Sequence, residues 1–270
     1  GEATHGSHED ALLKSMLIQA MVENHGLRTI LVEANRTGTA EMNAYTSAAP
    51  TGLMAAEAVK QAPVFSILKT EVMADLLTWL RGWNAVNGDQ PVRLVGIDCQ
   101  NSSLDAAEAL LALSKIDSGT ADALAASLAP ILTDEAKALR HDRMIRSITA
   151  AELGEAEAAC QILEGDLKRA GNLEAAYIAR LAWQGLNAFA YETSDSDPSA
   201  AEPDYWSRRD VFMAENARHV AGNGKAVFWA HNMHVLGAQP ANDAAKGFLP
   251  WGAKMRAAYG PDYAALVQDF

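Results

Sequence analysis

The stretch from Gly1 to Glu9 gathers imidazole and carboxylate side chains that are suited to proton transfer. Glu2, His5, His8 and Glu9 lie at the junction between a glycine turn and a helix. Histidine has the unperturbed pKa nearest to neutrality, and a neighbouring carboxylate can orient its ring. We therefore predict an acid/base group here. The alternative is that these histidines are solvated residues or cap partners at a helix start.

Three short apolar segments could position such a group, because each runs into a charged or imidazole side chain. Residues 29–32 lead into Glu33, residues 92–97 into Asp98, and residues 226–230 into His231. In parallel α/β sheets, ligands bind outside the carboxyl ends of the strands. We expect these side chains to share one cleft, with Glu2 and His5 at the same edge if a strand precedes Gly1. A simpler interpretation is that polar residues only mark where buried strands enter solvent.

Helical patterns surround these segments. Ser7 is expected to cap a helix that ends at His25-Gly26, and its apolar positions recur at helical spacing: Leu12, Leu13, Met16, Leu17, Ala20 and Met21. Thr70 is expected to cap a second helix, and 264–270 has the pattern of a strand. We predict one α/β domain spanning 1–270, with a partly parallel central sheet, flanking helices and a large helical insertion at about 103–192.

The composition excludes several classes of protein. Its 270 residues carry a net charge of -12, which argues against binding to nucleic acid or to an anionic membrane. No apolar run approaches the length of a membrane span, and the two cysteines lack a metal-type spacing. The sequence leaves the localisation open. It favours the cytoplasm, with a removed signal peptide as the alternative, and it gives no oligomeric state.

Common catalytic motifs are missing from the sequence. It has no G-x-S-x-G elbow, no H-E-x-x-H, no P-loop and no complete G-x-G-x-x-G. The usual serine hydrolase, zincin and nucleotide-binding interpretations are therefore not supported.

Several blocks together resemble the erythromycin esterase family, in the order that the family shows. They cover nearly the whole chain, and GEATHG and WAHNMH form the most specific pair. The blocks are GEATHG at 1–6, the strand ending in Glu33, TEVMADLLTWLRGWN with Glu71, GIDCQ with Asp98, RRDVFMAEN with Arg209 and WAHNMH with His231 and His234.

This resemblance implies a hydrolase with an α/β core and an added helical region. It implies that His5 acts as the general base on water with support from Glu2 and Glu33, and that His231, His234 and Arg209 line the same pocket. It also implies a small-molecule ester or lactone substrate, with macrolide lactones as the leading example. We predict the catalytic residues His5, Glu2, Glu33 and His231, and the substrate-binding residues Arg209, His234, Asp98, Glu71 and Arg36.

Two other interpretations of the same residues stay open. His5 with Glu2, and His231 with His234, have three-residue spacings, so together with Glu33 or Asp98 they could hold a divalent ion such as zinc or manganese. Alternatively, the fold could bind a ligand or haem without catalysis. We favour hydrolysis with no cofactor, because binding alone gives no reason to gather carboxylates around imidazoles.

Overall fold

The computed structural model of the chain describes residues 1–47, 49–50, 52–132, 148–193, 205–237 and 249–268. These residues fall into two compact units. The first contains Gly1–Asp98 and the described residues from Met213 onward, and the second contains Cys99–Phe212. The predicted helical segment at 103–192 falls within the second unit. None of the described helices combines the length and the apolar character needed to cross a bilayer.

The first unit is built on a three-stranded parallel sheet, which confirms the predicted α/β class. Its strands are β1 (Thr29–Asn35), β2 (Arg93–Asp98) and β3 (Ala226–Trp229), in the order β2-β1-β3. The central strand β1 is buried along its whole length, as expected for an apolar parallel strand between two neighbours. Register pairs join Val32 to Gly96 on one side and to Trp229 on the other.

The sheet continues by one bridge beyond β3. Glu2 pairs in parallel with His231, because the Glu2 N–H donates to the Ala230 carbonyl at 3.2 Å and the Asn232 N–H donates to the Glu2 carbonyl at 2.8 Å. The edge of the sheet therefore runs from Asp98 through β1 and His231 to Glu2.

Helices of the first unit cover this sheet. The described ones are α1 (His8–His25), α2 (Ala40–Thr46), α3 (Ala55–Gln61), α4 (Glu71–Val86), α10 (Asn232–Val235) and α11 (Trp251–Tyr259), with 3₁₀ turns at Ser66–Leu68 and Gly260–Asp262. Ser7 and Thr70 cap α1 and α4 as predicted, each accepting a backbone N–H with its hydroxyl. The predicted strand near the end of the chain is wrong for residues 264–268, which have no regular secondary structure, and its last two residues lie outside the described part.

The second unit is helical. It contains α5 (Ser102–Ser114), α6 (Ser118–Leu128), α7 (Ala150–Arg169) and α8 (Leu173–Thr193), followed by the first part of α9 (Tyr205–Ala221). Its core is rich in alanine and leucine, including Ala106, Ala156 and Ala179, all fully buried. Such small side chains let helix backbones approach closely. The remainder of α9 belongs to the first unit, where Met213 and Ala217 pack with Leu31 of β1.

Candidate active site

Glu2 and His5 form a hydrogen-bonded pair at the edge of the sheet. The Nδ1 atom of His5 lies 3.2 Å from Oε1 of Glu2. Because a carboxylate can only accept, Nδ1 must carry the proton, and the Nε2 atom of the neutral ring is left with its lone pair. The His5 side chain is 43% exposed, whereas that of Glu2 is only 9% exposed. A neutral imidazole that is oriented in this way can accept a proton from water.

Local backbone geometry presents the His5 ring to solvent. Gly6 follows it with a φ of 95°, a left-handed conformation that glycine adopts without strain. The chain then enters α1 through its Ser7 cap. The Glu2–His231 bridge fixes the other side of the segment.

Lys14, which the sequence patterns do not single out, lies on the far side of Glu2. Its ammonium forms an ion pair with Oε2 of Glu2, lies 3.4 Å from the Ala230 carbonyl and sits 5.1 Å from the centre of the Trp229 ring. Burial lowers the pKa of Lys14 to about 7, against the opposing attraction of the Glu33 carboxylate. Helical spacing places Lys14 in line with Ile18 and Val22, but the sequence alone does not show that this is the buried face of α1.

Glu33 joins a different histidine. Its Oε2 atom accepts the backbone N–H of His231 at 2.9 Å, and its Oε1 atom lies 3.2 Å from Nε2 of His234. Both side chains are more than nine-tenths buried. Glu2 is thus paired with the exposed His5, and Glu33 with the buried His234. The proposed support of His5 by Glu33 stays a prediction, and the contacts above join Glu33 to His234 and to the backbone of His231.

His231 has both ring nitrogens engaged by the backbone. The Met233 N–H donates to Nδ1 at 3.1 Å, so Nδ1 is the acceptor and the proton of the neutral ring lies on Nε2. Nε2 then donates to the Ala3 carbonyl at 2.9 Å. Burial lowers the pKa of His231, which favours this neutral form. Its ring centre lies 5.0 Å from that of His5. The arrangement suits a residue that holds the His5 segment in place.

The other predicted residues occupy varied positions. Asp98 is fully buried at the end of β2, in register with Asn35, and Arg36 is half-buried just after β1. Glu71 is exposed at the first position of α4, where its negative charge interacts favourably with the helix dipole. Arg209 belongs to the helical unit, where it is buried with its guanidinium 5.6 Å from the Trp206 ring centre. Their roles toward a substrate stay predictions.

The imidazole and carboxylate groups of this site are also possible metal ligands. Within the described ranges, no group of three or more His, Cys, Asp or Glu side chains is placed to hold a metal ion. His231 in particular has no ring lone pair to offer in its present hydrogen bonds.

Comparison with known proteins gives a family and a fold. The family model described as Erythromycin esterase matches residues 22–270. None of the curated proteins matches the sequence significantly.

Three solved structures share the fold. One is a protein from Bacillus cereus, with a TM-score of 0.77 and 21% identity, covering 99% of this chain. Another is a succinoglycan biosynthesis protein, with a TM-score of 0.73 and 17% identity over 97% of this chain. A third is a mutant of the erythromycin esterase EreC in its open conformation, with a TM-score of 0.71 and 19% identity over 99% of this chain. The chain spans 64%, 63% and 68% of their respective lengths.

Proposed function

The chain belongs to the erythromycin esterase family, and from this premise we propose that it is a hydrolase that cleaves a carboxylic ester or lactone with water activated by His5. The observation that carries the proposal is the Glu2–His5 hydrogen bond, which places the ring proton on Nδ1 and leaves Nε2 of the partly exposed ring with its lone pair.

The proposed reaction begins with a water molecule beside Nε2 of His5. Nε2 takes a proton from the water as the water oxygen bonds to the carbonyl carbon, which gives a tetrahedral oxyanion. The C–O bond to the alcohol portion then breaks, and the departing oxygen takes the proton from the His5 imidazolium. The products are a carboxylic acid and an alcohol, and the histidine is again neutral. Glu2 fixes the ring orientation and stabilises the imidazolium while it exists.

The oxyanion requires donors, and the substrate requires a pocket. Arg36 is proposed to donate to the oxyanion, since a guanidinium remains charged at all relevant pH values. We also propose that Glu33 and His231 support the catalytic group. His234, Asp98 and Glu71 complete the proposed set of substrate contacts.

A macrolide lactone is the leading substrate in this proposal. The family description and the name of one solved neighbour support it, since both refer to erythromycin esterase. Cleavage would open the lactone ring to a hydroxy acid, an increase in mass of one water molecule. Loss of the macrolide would be a means of antibiotic resistance.

The test is a mass-spectrometric assay of erythromycin and a panel of simple esters. Wild type is expected to add one water molecule to at least one substrate. In His5→Ala the rate of hydrolysis should fall by about 10²–10⁴-fold, which is the usual contribution of a general base. His25→Ala is the matched control, because His25 is an exposed histidine at the end of α1. It should retain wild-type rates.

Parallel samples treated with EDTA test the metal-dependent alternative. Activity that survives chelation supports the histidine base, whereas activity that is lost and then restored by zinc or manganese would make the imidazoles ligands. Absence of product from every substrate would overturn the proposal and favour a ligand-binding protein, for which a Soret band would indicate haem.

A further inference from the structure

The surroundings of Lys14 differ from those of an ordinary surface lysine. Its side chain is 8% exposed, and its ammonium meets Glu2, the Ala230 carbonyl and the face of Trp229. Burying an ammonium is costly unless it is paired and hydrogen-bonded. A helix position that merely filled space would be better occupied by leucine or methionine, so the charge itself requires an explanation.

Lys14 and His5 bind the two different oxygens of one carboxylate. His5 contacts Oε1 of Glu2 and Lys14 contacts Oε2. The same Ala230 carbonyl accepts from the Glu2 N–H and from Lys14. The carboxylate that orients His5 is therefore also bound by the Lys14 ammonium. That ammonium in turn contacts the Ala230 carbonyl, just beyond β3, where Glu2 pairs with the sheet.

We propose that Lys14 is a positioning residue of the active site, whose ammonium fixes the Glu2 carboxylate so that its Oε1 atom keeps the proton of His5 on Nδ1. The inference rests on the proposed function for its effect on rate, but not for its effect on the His5 ring. Without the ammonium, Glu2 can rotate and His5 loses the partner that selects its tautomer.

Other charged groups also face Lys14. Asp10 precedes it by one helical turn and is buried, Glu33 approaches from β1, and the Gly1 amino group and Glu2 lie on the segment before α1. His231 and His234 follow β3 and pair with the backbone and with Glu33. Among these groups, Glu2 forms the ion pair that joins Lys14 to the proposed base.

The position of the Lys14 pKa gives the inference a pH signature. With a pKa of about 7, the ammonium is present below neutrality and is lost as the pH rises above it. The rate constant kcat should therefore decline as the pH rises through about 7. Lys14→Arg should move this decline upward by more than one pH unit, because a guanidinium does not lose its proton in this range.

The first experiment measures kcat and KM from pH 5.5 to 9.5 with a substrate that wild type cleaves. Lys14→Met is expected to lower kcat by about 10–100-fold, as when an outer partner of a catalytic side chain is removed, with a smaller change in KM. Lys60→Met is the matched control, because Lys60 is an exposed lysine on α3. It should change neither constant.

The second experiment needs no substrate. Ring ¹⁵N shifts of His5, assigned by their loss in His5→Ala, should report an Nδ1–H tautomer in wild type and in Lys60→Met. In Lys14→Met the shifts should move toward a mixture of tautomers. Unchanged His5 shifts in a folded Lys14→Met protein, or an alkaline decline of kcat that stays at the wild-type pH in Lys14→Arg, would overturn the inference. If the protein cleaves no ester but the His5 tautomer still changes in Lys14→Met, the proposed function is contradicted and the positioning role of Lys14 is supported.

Discussion

His5 and His231 have rings only 5.0 Å apart, yet their hydrogen bonds assign them opposite proton positions. The Nδ1–H group of His5 donates a hydrogen bond to the Glu2 carboxylate, whereas Nδ1 of His231 accepts one from the backbone N–H of Met233. Residue type and spacing predict both as catalytic and cannot distinguish them. The difference arises from the backbone around each ring, which depends on how the Glu2 segment pairs with the end of β3.

We expect the folded protein to lose stability in acid, because His231 is held there in its neutral form. Its pKa is lowered in the folded protein, so below its ordinary value of 6.5 the unfolded chain binds the proton more strongly. The free energy of unfolding should therefore fall as the pH decreases from 6.5. His231→Gln should show a weaker acid dependence, measured by urea unfolding at pH 7.5 and 5. His25→Gln should behave as wild type, and an equal acid dependence in His231→Gln would contradict the assignment.

Glu33 allows a similar separation of charge from hydrogen bonding. Glu33→Ala leaves the backbone N–H of His231 without this acceptor and should cost about 1–3 kcal/mol of unfolding free energy. Glu33→Gln retains an oxygen acceptor and should recover part of that loss. Thermal and urea denaturation measure the difference. If Gln is as destabilising as Ala, the carboxylate charge near His234 matters more than this hydrogen bond.

At the scale of elements, α1 shows what hydrophobic periodicity can and cannot determine. The spacing of its apolar residues and the Ser7 and Gly26 boundaries predict the helix correctly. However, Leu12, Leu13, Met16 and Leu17 are 37–59% exposed, while Asp10, Lys14 and Ser15 are buried with Ile18 and Val22. The helix turns a polar stripe toward the Glu2 segment, and only the tertiary contacts of Lys14 explain why.

The Ser7 cap therefore has a dual importance. Removing its hydroxyl in Ser7→Ala leaves the Asp10 N–H without its acceptor and should cost about 1 kcal/mol. Thr70→Ala is the matched change at the start of α4, with a similar expected cost. Only Ser7→Ala should also lower kcat, because α1 carries Lys14 and directly follows His5. Equal activity of the two variants would separate the start of α1 from the site.

At the scale of the molecule, parallel strands bring distant side chains to one edge of the first unit. The carboxyl ends of the three apolar segments could be predicted from the sequence, and with them Glu33, Asp98 and His231. The strand order and the pairing of Glu2 with His231 could not, since both depend on contacts between residues far apart in the chain. Lys14 cannot be identified from the sequence for the same reason, because its role depends on a contact with Glu2 that forms only in the folded sheet.

The close contact between the parallel strands β1 and β2 can be tested by adding a single carbon atom at Gly96. The register shifts between Val32 and Asn35, and a Cβ atom at Gly96 would lie 2.4 Å from the carbonyl oxygens of Ala34 and Asn35. Gly96→Ala must therefore push the strands apart next to Glu33, and it should cost about 1–3 kcal/mol, as overpacking does. We also expect lower kcat, because Glu33 and the backbone of His231 would lose their alignment.

Gly82→Ala is the control variant. Gly82 has open space on the exposed side of α4, so the added methyl group should raise the free energy of unfolding by about 0.5–1 kcal/mol. Denaturation curves and ester turnover of both variants measure these effects. A Gly96→Ala protein as stable and active as wild type would show that the sheet can relax at this point without moving the site.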